Sequence, residues 1–325
     1  MFIAFCKERI ATDRIMSKIK LHSILDKLDP ADPVESMARK LSVSELNSML
    51  LEVFRRKSER VKSSVLLHNY IHNRFVKPSD LDPLILNEFK RKLLKAALKF
   101  HYRPIELSPL MPFACCSAMG PVDQNNIVSA LRNTELLADI TNALTLEAAC
   151  ERKFLLTEEV RLCACQRSVR AQSFDNPDFS AHFELFGMVT AGRDRGNYLF
   201  EKEALSEHIS FYLNLLESLS ERPDLTIIMH PIPDRKGNYN AFDILCESVQ
   251  GTVKDYPVEV ADTREKFSYY KDCRMNILLT KGEKQHLIID GGFTDWTQKL
   301  LNNNKERLLT SGLGVEYFLR LHSEI

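Results

Sequence analysis

The sequence predicts an α/β chain of the α+β type, with a central, mostly antiparallel sheet flanked by helices. Two observations predict it. Short segments rich in β-branched and aliphatic residues recur beyond the first third of the chain: NNIVSAL, VRLCACQRSVRAQ, FELFGMVTAG, LTIIMHPI, PVEVAD, MNILLTKG and HLIIDGG. Several are joined by hairpin-length turns, KGEKQH being the clearest. Beyond the first third, helical periodicity is confined to stretches near 138–154, near 201–219 and after Gly314. Hairpin-linked strands with helices set apart make an antiparallel sheet, because parallel neighbours need a long crossover between them.

Residues 1–82 read as a helical region of their own, and 83–325 as the sheet-bearing domain. Ile15, Ile19, Leu21, Ile24, Leu25 and Leu28 recur at helical spacing until DPADP at 29–33 breaks the pattern. Ser42 or Ser44 then caps a helix carrying Leu46, Met49, Leu50 and Phe54 on one side. KPSDLDP at 77–83 is a second breaker. After it, Leu86, Phe89, Leu93, Leu94, Ala97 and Leu98 mark a helix from about Leu84 to Phe100. PIELSPLMPF follows as extended chain bounded by prolines.

Lys and Arg total 44 and so do Asp and Glu, so the formal net charge is zero. The charge is uneven: residues 1–103 hold 21 Lys/Arg against 12 Asp/Glu. RRKSERVK and KRKLLK read as solvated or partner-facing runs. Overall neutrality weighs against a nucleic-acid partner, which demands many cations on phosphate. No apolar run is long enough to span a membrane. The short apolar start, MFIAF, precedes its charges, the reverse of a secretory signal, so a cytoplasmic location is expected. Eight cysteines are spread thinly. Cys163 and Cys165 form a CxC that no second pair completes, so reduced, mostly buried thiols are expected. No dinucleotide fingerprint or P-loop is present.

Three stretches carry chemistry. In the first, a long helix runs into FHYRPIELSPLMP. The second is VRLCACQRSVRAQSFDNPDFSAHFELFGMV, two strands around a loop. It places Arg170 on one strand, where a planar guanidinium can fork onto phosphate oxygens. Phe186 on the other strand can offer a base a flat apolar face. The third is LTSGLGVEYFLRLH, where Gly312 and Gly314 allow close backbone approach at a strand-to-helix corner.

In order and spacing these stretches resemble motifs 1, 2 and 3 of the class II aminoacyl-tRNA synthetases. The resemblance covers roughly residues 85–325. Motif 1, ending at Pro109, implies a homodimer. Motif 2 implies that Arg170 meets an α-phosphate and that Phe186 lies under adenine, with Gln172 in the slot of an acid and His182 in that of a basic residue. Motif 3 matches at Gly312, Gly314 and Glu316, and implies a role for Glu316 at a Mg²⁺ ion. Its arginine slot, which meets the γ-phosphate, holds Tyr317, and Arg320 lies one turn on.

The match narrows toward histidyl-tRNA synthetase. Tyr269 and Tyr270 match a tyrosine pair. Gly291, Gly292 and Asp295 match a Gly-Gly-Arg-Tyr-Asp turn, in which Phe293 and Thr294 replace Arg-Tyr. Glu265 occupies the slot of an arginine. Asp139 and Thr141 in LADIT match a segment beside the amino-acid pocket. That family's anticodon-binding domain has no counterpart in the sequence.

The resemblance implies ATP- and Mg²⁺-dependent activation of a small amino or carboxylic acid as an acyl-adenylate. The acceptor would be a small molecule or carrier protein rather than a standard tRNA. The departures at Gln172 and Tyr317 imply an alternative, a non-catalytic paralogue that keeps the pocket as an amino-acid-binding or regulatory subunit.

Overall fold

The structure is a computed structural model, and it describes residues 27–29, 31–120, 122–155, 157–172, 180–220, 222–234, 236–262 and 269–323. The expected first helix, most of the motif 2 loop and the slot of Glu265 lie outside these residues. The chain divides into two compact units. One holds the described residues up to Lys77 together with Ser129–Glu135; the other holds Pro78–Val128 and the chain from Leu136 onward.

In the first unit, helices span Pro33–Lys40, Val43–Ser58 and Ser63–His72. Ser42 caps the second in a reciprocal capping box with Glu45, which satisfies two backbone donors left open at a helix start. Leu41 and Met49 form a small core with Leu28, Met37 and Leu46 at its edge. Asn47 Oδ1 accepts from the Arg132 backbone in a hairpin turn, where Arg132 and Asn133 both take positive φ.

Among the described residues the strands are β1 (Arg103–Pro104), β2 (Leu110–Pro112), β3 (Ser129–Ala130), β4 (Thr134–Leu136), β5 (Val160–Val169), β6 (His182–Arg193), β7 (Leu225–Pro231), β8 (Val258–Val260), β9 (Lys271–Lys281), β10 (Lys284–Thr294) and β11 (Glu306–Gly314). In the second unit, eight of them form a sheet in the order β1-β5-β6-β11-β10-β9-β7-β8. Every pair from β5 to β7 is antiparallel; only the short edge strands β1 and β8 pair in parallel. The expected mostly antiparallel sheet is what the chain builds.

Period-two alternation assigns the two faces. Cys163, Cys165, Phe186 and Met188 join one core, with the helices Pro83–Lys99, Leu199–Glu217 and Asn240–Thr252. Leu162, Ala164, Val189 and Ala191 join the other core, with the helix Ile140–Phe154. Buried aliphatic area on both faces is the main stabilising term, at roughly 25 cal/mol per Å². A buried bidentate ion pair, Arg152 Nε and Nη2 on Glu306 at 2.7 and 2.8 Å, ties that second helix to β11.

Three expectations need correction. NNIVSAL is a 3₁₀ turn, Gln124–Asn126, followed by the two-residue β3, because its polar start caps rather than pairs. The helix Asn240–Thr252 was not anticipated. Gly291 and Gly292 are not in a turn but inside β10, where a Cβ would lie 2.7 Å from Ser311 Cβ and 2.5 Å from the Tyr270 ring. Those positions require glycine for close packing. The seven described cysteines are free thiols, and burial pushes the Cys163 thiol up to about 12.

Candidate amino-acid pocket

A cavity of about 260 Å³ opens over the middle of the sheet. Its wall includes Asp139, Thr141, Arg170, Phe186, Tyr269, Tyr270, Gly312 and Gly314, eight of the residues singled out from the sequence. Asp290, Thr310 and Ser311 complete its polar lining. Gln172, His182, Gly291, Gly292 and Glu316 are not part of the wall.

Asp139 is the cap of the helix Ile140–Phe154. Its Oδ1 accepts from the Thr141 backbone at 2.9 Å and from the Thr141 hydroxyl at 2.8 Å, the ordinary satisfaction of open donors at a helix start. Its Oδ2 lies 3.4 Å from Arg170 Nη2. Arg170 leaves the end of β5, and its Nε donates to the Ala138 carbonyl at 2.9 Å. Cation and carboxylate thus stand side by side at one end of the cavity.

At the other end, Asp290 collects three donors: Tyr270 Oη at 3.1 Å, Arg274 Nε at 2.7 Å and Asn276 Nδ2 at 2.8 Å. Tyr269 and Tyr270 meet edge to face at 4.8 Å. Burial pushes both phenols upward, so they stay neutral donors. Thr141 and Thr310 hydrogen-bond the Tyr269 hydroxyl. Asp290 and Arg274 were missed in the sequence. The signal for them was the alternation along β9 and β10, which places Arg274, Asn276 and Asp290 on one face of paired strands.

Beneath the floor runs a buried polar chain. Ser311 bonds His208 Nδ1 at 2.7 Å and Tyr212 Oη at 3.0 Å, and His208 Nε2 bonds Thr190 at 3.0 Å. Thr190 in turn meets Tyr102 Oη at 2.6 Å. Burial brings the His208 imidazole down to about 3, so it is held neutral.

The motif 2 aromatic also sits differently from the expectation. Although it belongs to the cavity wall, Phe186 is fully buried, stacked on Phe211 at 5.5 Å and edge-on to Tyr212. His182 and Phe186, four apart on a strand, share one face, and Phe186 packs into the core with the helices Pro83–Lys99 and Leu199–Glu217. Phe183, of opposite parity, is half-buried, and its ring lies 5.4 Å from the Arg170 guanidinium carbon. His182 Nδ1 pairs with Arg167 at 2.8 Å.

Motif 3 is likewise occupied. Glu316 is buried; its Oε1 is 2.6 Å from Arg167 Nη2, and its Oε2 accepts from Ser79 at 3.1 Å. Tyr317 bonds His286 Nδ1 at 2.7 Å, and Arg320 pairs with Asp80. Among the described residues no group of three or more His, Cys, Asp or Glu side chains is placed to hold a metal ion, and both Glu316 oxygens already meet protein groups. No helix among them is long and apolar enough to cross a membrane.

No protein-family model matches the chain, and no curated protein matches it. Solved structures do. Apo histidyl-tRNA synthetase of S. aureus is similar over 76% of this chain and 68% of its own, with a TM-score of 0.59 at 12% identity. A protein from Bacillus halodurans C described as an ATP phosphoribosyltransferase regulatory subunit/histidyl-tRNA synthetase is similar over 76% and 82%, with a TM-score of 0.56 at 11% identity. A threonyl-tRNA synthetase, ThrRS-1 from Aeropyrum pernix, is similar over 74% and 59%, with a TM-score of 0.59 at 10% identity. The chain therefore has a class II aminoacyl-tRNA synthetase-like fold, similar to that of the histidyl and threonyl enzymes.

Proposed function

We propose that this chain is a non-catalytic synthetase paralogue that binds a small amino acid as a sensor or regulatory subunit. The observation that carries this reading is the contrast between two halves of one site. The half matching an amino-acid pocket is an open cavity. The positions matching the polyphosphate half are engaged by the protein itself: Tyr317 by His286, and Glu316 by Arg167 and Ser79. Losing a guanidinium at the γ-phosphate position removes a charge-assisted bond. A cavity of about 260 Å³ lies below the roughly 300–1,000 Å³ of pockets for drug-sized ligands and suits a small zwitterion. Asp139 and Asp290 would meet its ammonium, Arg170 its carboxylate, and Thr141, Tyr269 and Tyr270 its flanks. Gly291 and Gly292 would act by letting Ser311 and Tyr270 pack close. The regulatory-subunit description of the Bacillus halodurans C protein agrees with this reading.

One observation favours a second reading, adenylate formation with ATP and Mg²⁺. Arg170 and Phe183 lie beside each other at the ends of neighbouring strands, a pairing suited to a phosphate and a base. Under it, Gln172, His182, Gly312 and Gly314 would flank the nucleotide. An ATP–pyrophosphate exchange assay with a panel of amino acids separates the readings. Exchange with any acid selects the enzyme; amino-acid binding without exchange selects the sensor.

A homodimer belongs to both readings. Leu84, Ile85 and Leu98 on the helix Pro83–Lys99, with Leu110 and Phe113 after it, are exposed apolar side chains in the motif 1 region, and we propose that a second copy covers them.

A further inference from the structure

Asp290 stands at one end of the amino-acid cavity, and what holds it reaches across three strands. Asn276 lies directly opposite Asp290 where β9 pairs with β10. His230 lies opposite Arg274 where β7 pairs with β9. Period-two alternation places all four side chains on one face of the sheet. Asn276 is 5% exposed, so its amide must find its partners inside the protein. Its Nδ2 donates to Asp290 Oδ1 at 2.8 Å and to the Met275 carbonyl at 3.1 Å. Its Oδ1 lies 2.7 Å from His230 Nε2.

The chemistry of these groups fixes the direction of each bond. Carboxylate and carbonyl oxygens accept only, so the amide nitrogen faces them. The amide oxygen is then turned to His230, and an oxygen acceptor requires the imidazole proton on Nε2. The result is one directed chain, from His230 Nε2–H to Asn276 to Asp290. Arg274 Nε adds a second donor to the same Oδ1 at 2.7 Å. Oδ2 has one donor, Tyr270 Oη at 3.1 Å, and the Asp290 side chain is 41% exposed. Oδ2 is therefore the oxygen with an acceptor site to spare, and its direction is set by what grips Oδ1.

We propose that Asn276 and His230 are positioning residues for amino-acid binding. His230 holds the Asn276 amide, and Asn276 holds Asp290 so that Oδ2 meets the ligand's ammonium. The inference rests on the amino-acid reading of that cavity. Neither residue is part of the cavity wall, so an effect of either on affinity has to travel through Asp290. Without His230, a buried amide oxygen loses its donor, which is costly. The amide then turns toward water and its Nδ2 leaves Asp290.

The test is calorimetric titration of the full chain with the standard amino acids, one at a time, with melting curves on the same samples. The variants are Asn276→Leu, His230→Leu, His230→Gln and the double leucine variant. Asn276→Leu and His230→Leu should each weaken binding about fivefold, as loss of one hydrogen bond in the chain requires. Glutamine can place an amide nitrogen near the position of an imidazole Nε2, so His230→Gln should bind nearly as wild type does. The double variant should bind no more weakly than Asn276→Leu alone, because His230 acts only through Asn276. Nitrogen NMR of the histidine-labelled chain should show the neutral His230 ring with its proton on Nε2. His230 is half-buried, so His230→Leu and His230→Gln carry the test if Asn276→Leu fails to fold. If wild type binds and His230→Leu binds equally well, even while melting lower, the inference is overturned and the reading of the cavity stands. Effects that add in the double variant, or a proton on His230 Nδ1, overturn it as well. If wild type binds no amino acid, both fall together.

Discussion

Arg170 is fastened to Asp139: its Nη2 lies 3.4 Å from the carboxylate while its Nε holds the Ala138 carbonyl at 2.9 Å. The residue expected to grip a phosphate and the residue expected beside an amino acid form one polar unit. A zwitterion entering there would meet both signs of charge at once. Replacing Arg170 with alanine should weaken amino-acid binding by about 1.5–3 kcal/mol, the worth of a hydrogen bond to a charged group. Asp139→Asn should weaken it similarly while keeping the helix cap. Thermal stability should change little in either, because both side chains are part-exposed. Isothermal titration and melting curves on the same samples check this.

The two phenylalanines of β6 should part company. Phe186 sits in a stack with Phe211, so Phe186→Ala should cost about 3–5 kcal/mol of stability through the cavity it leaves. Phe183→Ala should leave the urea midpoint near that of wild type and change only ligand affinity. If Phe183→Ala destabilises the fold as much as Phe186→Ala does, the assignment of faces is wrong.

His208 predicts an acid-side loss of stability. Its imidazole is brought down to about 3 by burial, from 6.5. Between those values the unfolded chain binds the extra proton, so stability is fully present above about pH 6.5 and falls as pH drops toward 3. His208→Gln should flatten that part of the profile, while lowering stability near neutral pH through the disturbed bonds to Thr190 and Ser311. Urea midpoints near pH 8 and near pH 5, in wild type and variant, measure it.

Light scattering at micromolar concentration should give twice the chain mass. Leu84→Asp together with Ile85→Asp should shift it to the monomer without unfolding the chain, since both side chains are exposed in the isolated chain. An unchanged mass for the double variant would place the dimer contact elsewhere.

Much of the sheet was legible because its signal is local. VRLCACQRSV and HLIIDGG are strands by composition and alternation alone, and KGEKQH turns at Gly282, whose φ of 61° suits glycine. Asp139 was recognisable as a residue at a helix start. The helix Asn240–Thr252 carries Phe242, Leu245, Cys246 and Val249 at helical spacing, a periodicity that was legible in the sequence and passed over. Phe186, expected under a base by the resemblance, is buried, because spacing along a strand fixes the relative face of two residues and not which face bears the cavity. Asp290 and Arg274 gain their meaning only from the pairing of β9 with β10, a tertiary fact. Gly291 and Gly292 were expected in a turn beside the substrate; their place inside β10 has a packing reason that no turn pattern conveys.

The central claim is that the pocket takes an amino acid without a nucleotide. Calorimetric titration of the full chain with a panel of amino acids, with and without ATP and Mg²⁺, tests it most directly. The account predicts saturable binding of at least one amino acid in the absence of nucleotide, weakened in Asp139→Asn and unchanged by adding ATP and Mg²⁺. Amino-acid binding that appears only with ATP and Mg²⁺ present, accompanied by pyrophosphate exchange, would contradict it.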